Sequence, residues 1–430
     1  MAEKFDGIVV GAGPAGIAAA LRMAGAGMKV AVIERGEYPG SKNVMGGILY
    51  RQPTEELVPR FYEEAPLERP ITESRLWLMG DGNVVSIGCR AAAFAEEPHN
   101  AYSVLRAKFD QWFASKAVEK GALVLCETVV RDCLTEGDRV VGIRTDRPQG
   151  ELLADVVVLA DGVNSLLARE LDMREEIRPD RVAQAVKEVI SLPPGKIEDR
   201  FNIERGEGVS IEAIGDATRG LVGTAWIYTN RDSISIGVGG LLEGVGHRRL
   251  RPNDLIEHFK GLPPVRRLIE GGKTEEYLAH LIPEGGYRSL PRLVGKGVMV
   301  VGDAAMLVNG LHREGSNMAM ISGKFAGEAA VEAWKRGDFS RRSLEAYVDK
   351  LKDSFIIKDL KKYSRALPFF ERNPHFFRLY PGLVGRAVAE FLTVDGVPKR
   401  EKQARIFDIL YERGRWNLYR DLYNAWRVLR

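Results

Sequence analysis

Between Phe5 and Arg35 the chain passes from an apolar run, "GIVV", through a glycine-marked turn, "GAGPAG", to an alanine-rich stretch and a second apolar run, "VAVI". Within about 30 residues that order predicts strand, tight turn, helix and strand. Residues 154–165, "ADVVVLADGVNS", and 297–305, "GVMVVGDAA", give a shorter version: a continuous apolar run of the parallel-strand type, then Asp161-Gly162 in one case and Gly302-Asp303 in the other. "SVLRAKFDQWFASKAVEKGALVL" has the spacing of an amphipathic helix that opens at Arg106 and leads into a strand. From residue 179 to 287 the period changes: "GLVGTAWIYTNRDSISIGVGG" alternates at two residues around "TNRDS", predicting an antiparallel hairpin. After Ser340 the pattern is mostly helical. The expected class is α/β, a Rossmann-like domain with a parallel sheet, joined by a smaller antiparallel-sheet domain and a helical C-terminal region.

The composition, with 45% hydrophobic and 28% charged residues in 430, is that of an ordinary globular chain. A net charge of +3 falls short of the basic excess that nucleic-acid binding requires, which removes that partner class. Cys89, Cys126 and Cys133 are too scattered for a disulfide framework and point to a reducing, cytoplasmic setting. They are also too few for a four-thiolate iron–sulfur cluster in this chain. No apolar run approaches the ~20 residues of a membrane-spanning helix, so the expected membrane contact is peripheral, on the cytoplasmic face, or none. The six histidines show no metal-binding spacing, and the candidate metal set is empty.

Candidate chemistry gathers at the ends of the apolar runs. Gly11 permits the tight turn, Gly13 lets a pyrophosphate approach the main chain, and Gly16 lets helix and strand pack closely. The helix start offers free N–H groups to phosphates, and Glu34 is placed to accept hydrogen bonds from ribose hydroxyls. These features fit NAD and FAD equally. Gly46 and Gly47, in "GSKNVMGGILY", allow a flat ring to lie against the backbone or form a plain loop. Arg106 is a phosphate partner or a surface charge. Asp161 and Asp303 fall at the carboxyl ends of strands, where ligands of open α/β sheets gather. Asp303 is placed to hold a polyol hydroxyl, and a helix opening at Gly315-Ser316-Asn317 directs amides at the ring end. A ribityl chain, and a ring that becomes negatively charged on reduction, belong to FAD and not to NAD; the expected cofactor is non-covalent FAD.

With "GAGPAG", "ADG" and "GDA" in this order, the chain resembles the FAD-dependent superfamily that holds aromatic hydroxylases, geranylgeranyl reductases and electron-transfer flavoprotein–quinone oxidoreductases. The blocks "GSKNVMGG", "AWIYTNRDSISIGVGG", "IPEGGYRSLP" and "VGDAAMLVNGLHREGSNMAMISGKFAGEAA" resemble the FixC branch of the last family. The resemblance implies that Gly11, Gly13, Gly16, Glu34, Arg106 and Asp303 contact FAD, with Gly46, Gly47, Gly315, Ser316 and Asn317 around its ring. Pro14, Ala15, Arg35, Val130, Asp161, Gly162 and Gly302 complete the candidate cofactor set. It also implies the activity: electrons taken from an electron-transfer flavoprotein of alpha and beta subunits and passed to a quinone, in an electron-bifurcating multi-subunit assembly. Because this chain lacks the cysteines for a cluster, the implied iron–sulfur centre sits on a separate ferredoxin-like subunit.

On this reading residues 1–78, 101–178 and 288–340 bind FAD, and residues 79–100 and 179–287 form the antiparallel quinone or acceptor domain. Residues 341–430 form a mostly helical region for partner or membrane contact. Loose alignment with the quinone-binding relatives places Gly223, Thr224 and Trp226 in an acceptor pocket, while Trp226 reads equally well as core. His312 is a candidate proton relay or an ordinary loop histidine. In "KQARIFDILYERGRWNLYRDLYNAWRVLR" the residues Ile406, Leu410, Tyr411, Leu418, Leu422 and Trp426 recur at helical intervals. The default expectation is a docked apolar stripe; the sharper one is a site for the ferredoxin-like subunit. The alternatives are a geranylgeranyl-reductase-like or hydroxylase-like flavoenzyme, or a mainly structural flavin-bound subunit.

Overall fold

A computed structural model describes residues 3–42, 47–312 and 314–430. Gly46, one of the candidate ring contacts, lies outside the described residues. The chain divides into two units, one of Met1–Glu68, Asn100–Val182 and Ile282–Ser364, the other of Arg69–His99, Ala183–Leu281 and Arg365–Arg430.

In the first unit the continuous apolar runs become central strands, because a strand covered on both faces has no polar side to show. Glu3–Val10 pairs in parallel with Val30–Ile33 on one side and Glu151–Leu159 on the other; Leu123–Leu125 and Val298–Val300 extend the parallel set. Ile8, Val9 and Val156 to Val158 are fully buried, each side chain contributing about 1.5–3 kcal/mol on leaving water. Antiparallel strands Val130–Glu136 and Arg139–Thr145 continue the sheet from Glu151–Leu159. The helix Pro14–Gly25 opens with proline at its first turn, where a missing N–H costs nothing. It is buried nearly all round because the long helix Ser316–Arg336 lies against it. A Cβ on Gly323 or Gly327 would run into the carbonyls of Ala15 or Ala19, so this close approach requires glycine. The amphipathic helix runs Arg106–Glu119, with Phe109, Phe113 and Ala117 buried on one face.

The second unit contains the expected hairpin. Gly223–Thr229 and Ser233–Leu241 pair antiparallel across a short turn at residues 230–232, with Trp226 opposite Gly237. Its sheet runs Lys273–Pro283, Val182–Ser191, Ser233–Leu241, Gly223–Thr229, Gly208–Gly215, Leu67–Gly80, Asn83–Arg90. The pairing of Gly208–Gly215 with Leu67–Gly80 is parallel. One face, carrying Val186, Ile211, Ile227 and Ile236, packs against Ile197, Phe201, Leu255 and Phe259 from two short helices, Pro194–Phe201 and Pro252–Gly261. Helices fill residues 366–430, among them Tyr380–Leu392, Lys399–Leu410 and Arg415–Leu429. The expected docked stripe there is only partly realised: Leu422 and Trp426 are 55% and 53% exposed. No helix among the described residues is long and apolar enough to cross a membrane.

Candidate functional site

Four parallel strands of the first unit end on one edge, so the turns after Val10, Ile33, Leu159 and Val300 are brought together there. After the first comes Gly11, whose φ of +103° is closed to most L-residues and whose missing Cβ would meet the Ala160 carbonyl. Gly13 is different: nothing lies within 4 Å of a Cβ placed on it. It is also the N-cap of the helix Pro14–Gly25 and supplies no side-chain cap, leaving the first-turn amides open. Gly16 packs the helix onto that turn. Glu34 ends the second strand and turns its carboxylate inward, accepting from Ala12 N–H at 2.8 Å and Gly36 N–H at 2.6 Å. An ionised carboxylate keeps further acceptor positions for ribose hydroxyls. Arg35 is exposed, and Val130 begins the strand that follows the Thr128 N–H to Glu34 carbonyl bond of 2.9 Å.

At the other pair of turns the charges are concentrated. The Asp303 carboxylate accepts no hydrogen bond from any described residue, and burial raises it to about 6 against the pull of Arg106 and Arg174. Burial also raises Asp161 to about 6, opposed by the Ser165 hydroxyl, which donates to it at 2.9 Å. Gly162 beside it is open, with φ +79°. Arg106 is 5% exposed and holds Asp110 bidentately, both bonds 2.7 Å. Its remaining arm reaches the Ser316 hydroxyl at 3.5 Å, at the start of the helix Ser316–Arg336. That helix, too, lacks a side-chain cap at Gly315, and Asn317 is buried in its first turn. Arg106 is therefore buried, which overturns the surface-charge alternative.

Sequence reasoning missed Arg174. It donates to the Val163 carbonyl at 2.7 Å and the Ala304 carbonyl at 3.3 Å, tying the Asp161 turn to the Asp303 turn. Burial lowers its pKa and the two aspartates pull it back up. Nothing in "LDMREE" marks it; Asp110 had a weak signal, being four residues from Arg106.

The remaining candidates fall into two groups. Gly47 is buried and its carbonyl accepts from Val104 N–H at 2.9 Å. His312 is exposed on the loop ahead of Gly315, its ring 5.0 Å from that of Tyr363. Gly223, Thr224 and Trp226 belong to the second unit: Trp226 is 9% exposed with its indole laid against Gly237, and Gly223 and Thr224 are half-buried.

The first-unit residues fit FAD on their own chemistry: an open glycine turn, two uncapped helix starts, and a half-buried carboxylate, Asp303, that accepts no hydrogen bond from any described residue. The Gly11–Gly16 turn would hold the pyrophosphate, Glu34 the ribose, Asp303 the polyol, and the Ser316 end of the long helix the ring. Bound FAD would supply one- and two-electron chemistry, the protein its orientation and electrostatics.

Comparison with known proteins agrees. Residues 6–169 match the model for FAD dependent oxidoreductases, and residues 366–430 match the ETF-QO/FixC family C-terminal domain. Protein FixC of Bradyrhizobium diazoefficiens is 50% identical, covering 99% of each chain. A protein of Escherichia coli K12 named as a probable electron transfer flavoprotein-quinone oxidoreductase is 39% identical over 97% of each. Among solved structures, a geranylgeranyl bacteriochlorophyll reductase-like protein from Thermoplasma acidophilum superposes with a TM-score of 0.75 over 99% of this chain and 100% of that one, at 19% identity, which is a likeness of fold. The glycine turn, the carboxylates at the strand ends and these full-length relatives together make the chain an FAD-dependent electron-transfer oxidoreductase that belongs to the ETF-QO/FixC family.

Proposed function

We propose that this chain accepts electrons from an electron-transfer flavoprotein and passes them to a quinone, as the FAD-bearing subunit of an electron-bifurcating assembly. Its supporting observation is the 39% likeness, over nearly the whole length, to a relative named for that reaction. Three cysteines do not make a four-thiolate cluster, so on this reading the iron–sulfur centre belongs to a ferredoxin-like partner.

The partner's surface on this reading is the helix Arg415–Leu429. Trp416, Tyr419, Tyr423 and Trp426 are 83%, 46%, 57% and 53% exposed, and Arg415, Arg427 and Arg430 stack over neighbouring rings. Aromatic anchors ringed by arginine suit an acidic protein surface. A cytoplasmic setting follows from the same assembly. On this reading His312 serves as a proton relay near the ring, and Gly223, Thr224 and Trp226 of the second unit take part in binding the quinone.

The deciding experiment mixes FAD-loaded protein with reduced electron-transfer flavoprotein, and then with a soluble quinone analogue, following flavin absorbance. Reduction in the first mix and reoxidation in the second are expected. Failure of both with FAD still bound, or oxidation of NAD(P)H driven by a prenyl lipid or an aromatic substrate, would overturn the reading. Binding of the purified chain to anionic vesicles but not to the ferredoxin-like subunit would reassign the aromatic helix to a membrane surface.

A further inference from the structure

Glu284 is a carboxyl that the cofactor geometry above leaves unused. It follows the strand Lys273–Pro283, and its main-chain N–H donates to the Arg181 carbonyl at 2.8 Å. The side chain lies on the 309–314 loop: a Cβ built on Gly310 would collide with the Glu284 carboxylate, which fills the space that a side chain there would take. No described residue donates a hydrogen bond to it. Burial alone raises the carboxyl to about 7. Charged groups stand on every neighbouring segment: Asp180 and Arg181 before it, Arg288 after it, His312 and Glu314 on the loop, and Asp359 and Lys362 on the helix Phe355–Lys362. Among the described residues none of them moves its ionisation; Arg313 lies outside that set.

The loop is closed at its base by paired main-chain bonds, Asn309 N–H to the Glu314 carbonyl at 3.1 Å and Glu314 N–H to the Asn309 carbonyl at 3.2 Å. Its far end runs through Gly315 into the uncapped start of the long helix. Glu284 therefore sits one loop away from the amides assigned to the ring end of the cofactor. A negative charge arriving within about 10 Å of a carboxyl in such a partly buried place changes its protonation equilibrium roughly tenfold.

We propose that Glu284 is a redox-linked proton site: it takes up a proton from solvent when the cofactor at the Ser316 helix start gains electrons, and returns it when they leave. The electron pair goes to the cofactor with the cofactor's own proton; the additional proton comes from water and ends on a Glu284 oxygen, and no other bond changes. Glu284 acts through the loop and so tunes the centre without touching the reacting atoms. The proposal rests on FAD occupying this site.

Redox titration of the FAD-loaded chain on either side of neutrality tests it. In the wild type the midpoint potential should fall more steeply with pH over a segment above neutrality, one extra proton per electron pair adding about 30 mV per pH unit. Glu284→Gln should remove that segment. Gly310→Ala, whose methyl displaces the carboxyl, should shift it. Superimposable wild-type and Glu284→Gln lines would overturn the proposal. Reduced-minus-oxidised infrared spectra of the wild type offer a variant-free check: a protonated carboxyl band should grow on reduction, and its absence would overturn the proposal as well. A wild type that binds no FAD would instead defeat the cofactor assignment beneath it.

Discussion

The flavin-bearing unit and the C-terminal helices are held together by different physics. Around Gly11–Gly16 the packing is apolar and close, with Ile8, Val9, Val158 and Ala18 inaccessible and glycine wherever two backbones meet. No residue of the two apolar cores lies beyond Leu360. Ala366, Leu383 and Ala387 are buried among the C-terminal helices, but these helices also bury charge. Asp421, 3% exposed, receives the Tyr380 hydroxyl at 2.7 Å, with His375 at 2.9 Å and Arg413 at 3.2 Å. Lys402, 2% exposed, sits 3.0 Å from Asp395 and 3.5 Å from Glu390. At the surface, Arg386 grips Glu412 through two bonds of 2.6 and 2.7 Å. The rings of Trp416, Tyr419, Tyr423 and Trp426 on the last helix are turned outward. This region therefore combines charge in its interior with large rings on the surface of its last helix.

That contrast can be broken from either side. Asp421→Ala leaves Arg413, His375 and Tyr380 without their shared acceptor and should cost about 3–5 kcal/mol; hydrogen exchange should rise across residues 375–429 while the first unit keeps its protection. Loss of protection in the strands Glu3–Val10 and Glu151–Leu159 as well would show that the two regions are not energetically distinct. Gly323→Ala pushes a methyl into the Ala15 carbonyl, with an expected cost of about 2–3 kcal/mol and weaker FAD retention; denaturant unfolding and flavin release measure both.

Asp303→Asn should have opposite effects on binding and stability. Burial raises this acid from its unfolded value, so the folded chain binds more protons between about pH 4 and 6. The stability it contributes is complete below that window and lost as pH rises through about 6. Without FAD, the Asn variant should therefore be more stable than wild type by about 1–2 kcal/mol above pH 6, less so towards pH 4. Its FAD affinity should fall at least about tenfold, because a charged acceptor is gone. Thermal unfolding against pH and flavin titration report the two. Smallest of all, Trp416→Ala should change stability by no more than about 0.5 kcal/mol. A larger loss would mean that the indole is a structural part of its helix and not an open contact.

The same contrast explains what could be read from the sequence. The parallel strands, the glycine turn, the helix that starts on Arg106 and the hairpin about residues 230–232 are local or periodic, and short windows of sequence carry them. Asp161 and Asp303 were visible because each directly follows or adjoins an apolar strand. Arg174 was not, because its partners come from two turns far apart in the chain. Asp421 and His375 lie 46 positions apart, and the tyrosine and arginine that complete their cluster follow no repeat. The apolar stripe of the last helix was legible as a period. Its exposure was not, since the same spacing serves a buried face and a waiting one.

One consequence follows from Gly323 and Gly327. The two helices whose starts flank the expected cofactor are seated backbone against backbone, like the fixed jaws of a caliper, so the gap between them is set before any ligand arrives. A fragment that fills only the adenosine end should therefore find the distant jaw already at its final opening, and completing the molecule should add affinity with little further loss of conformational freedom.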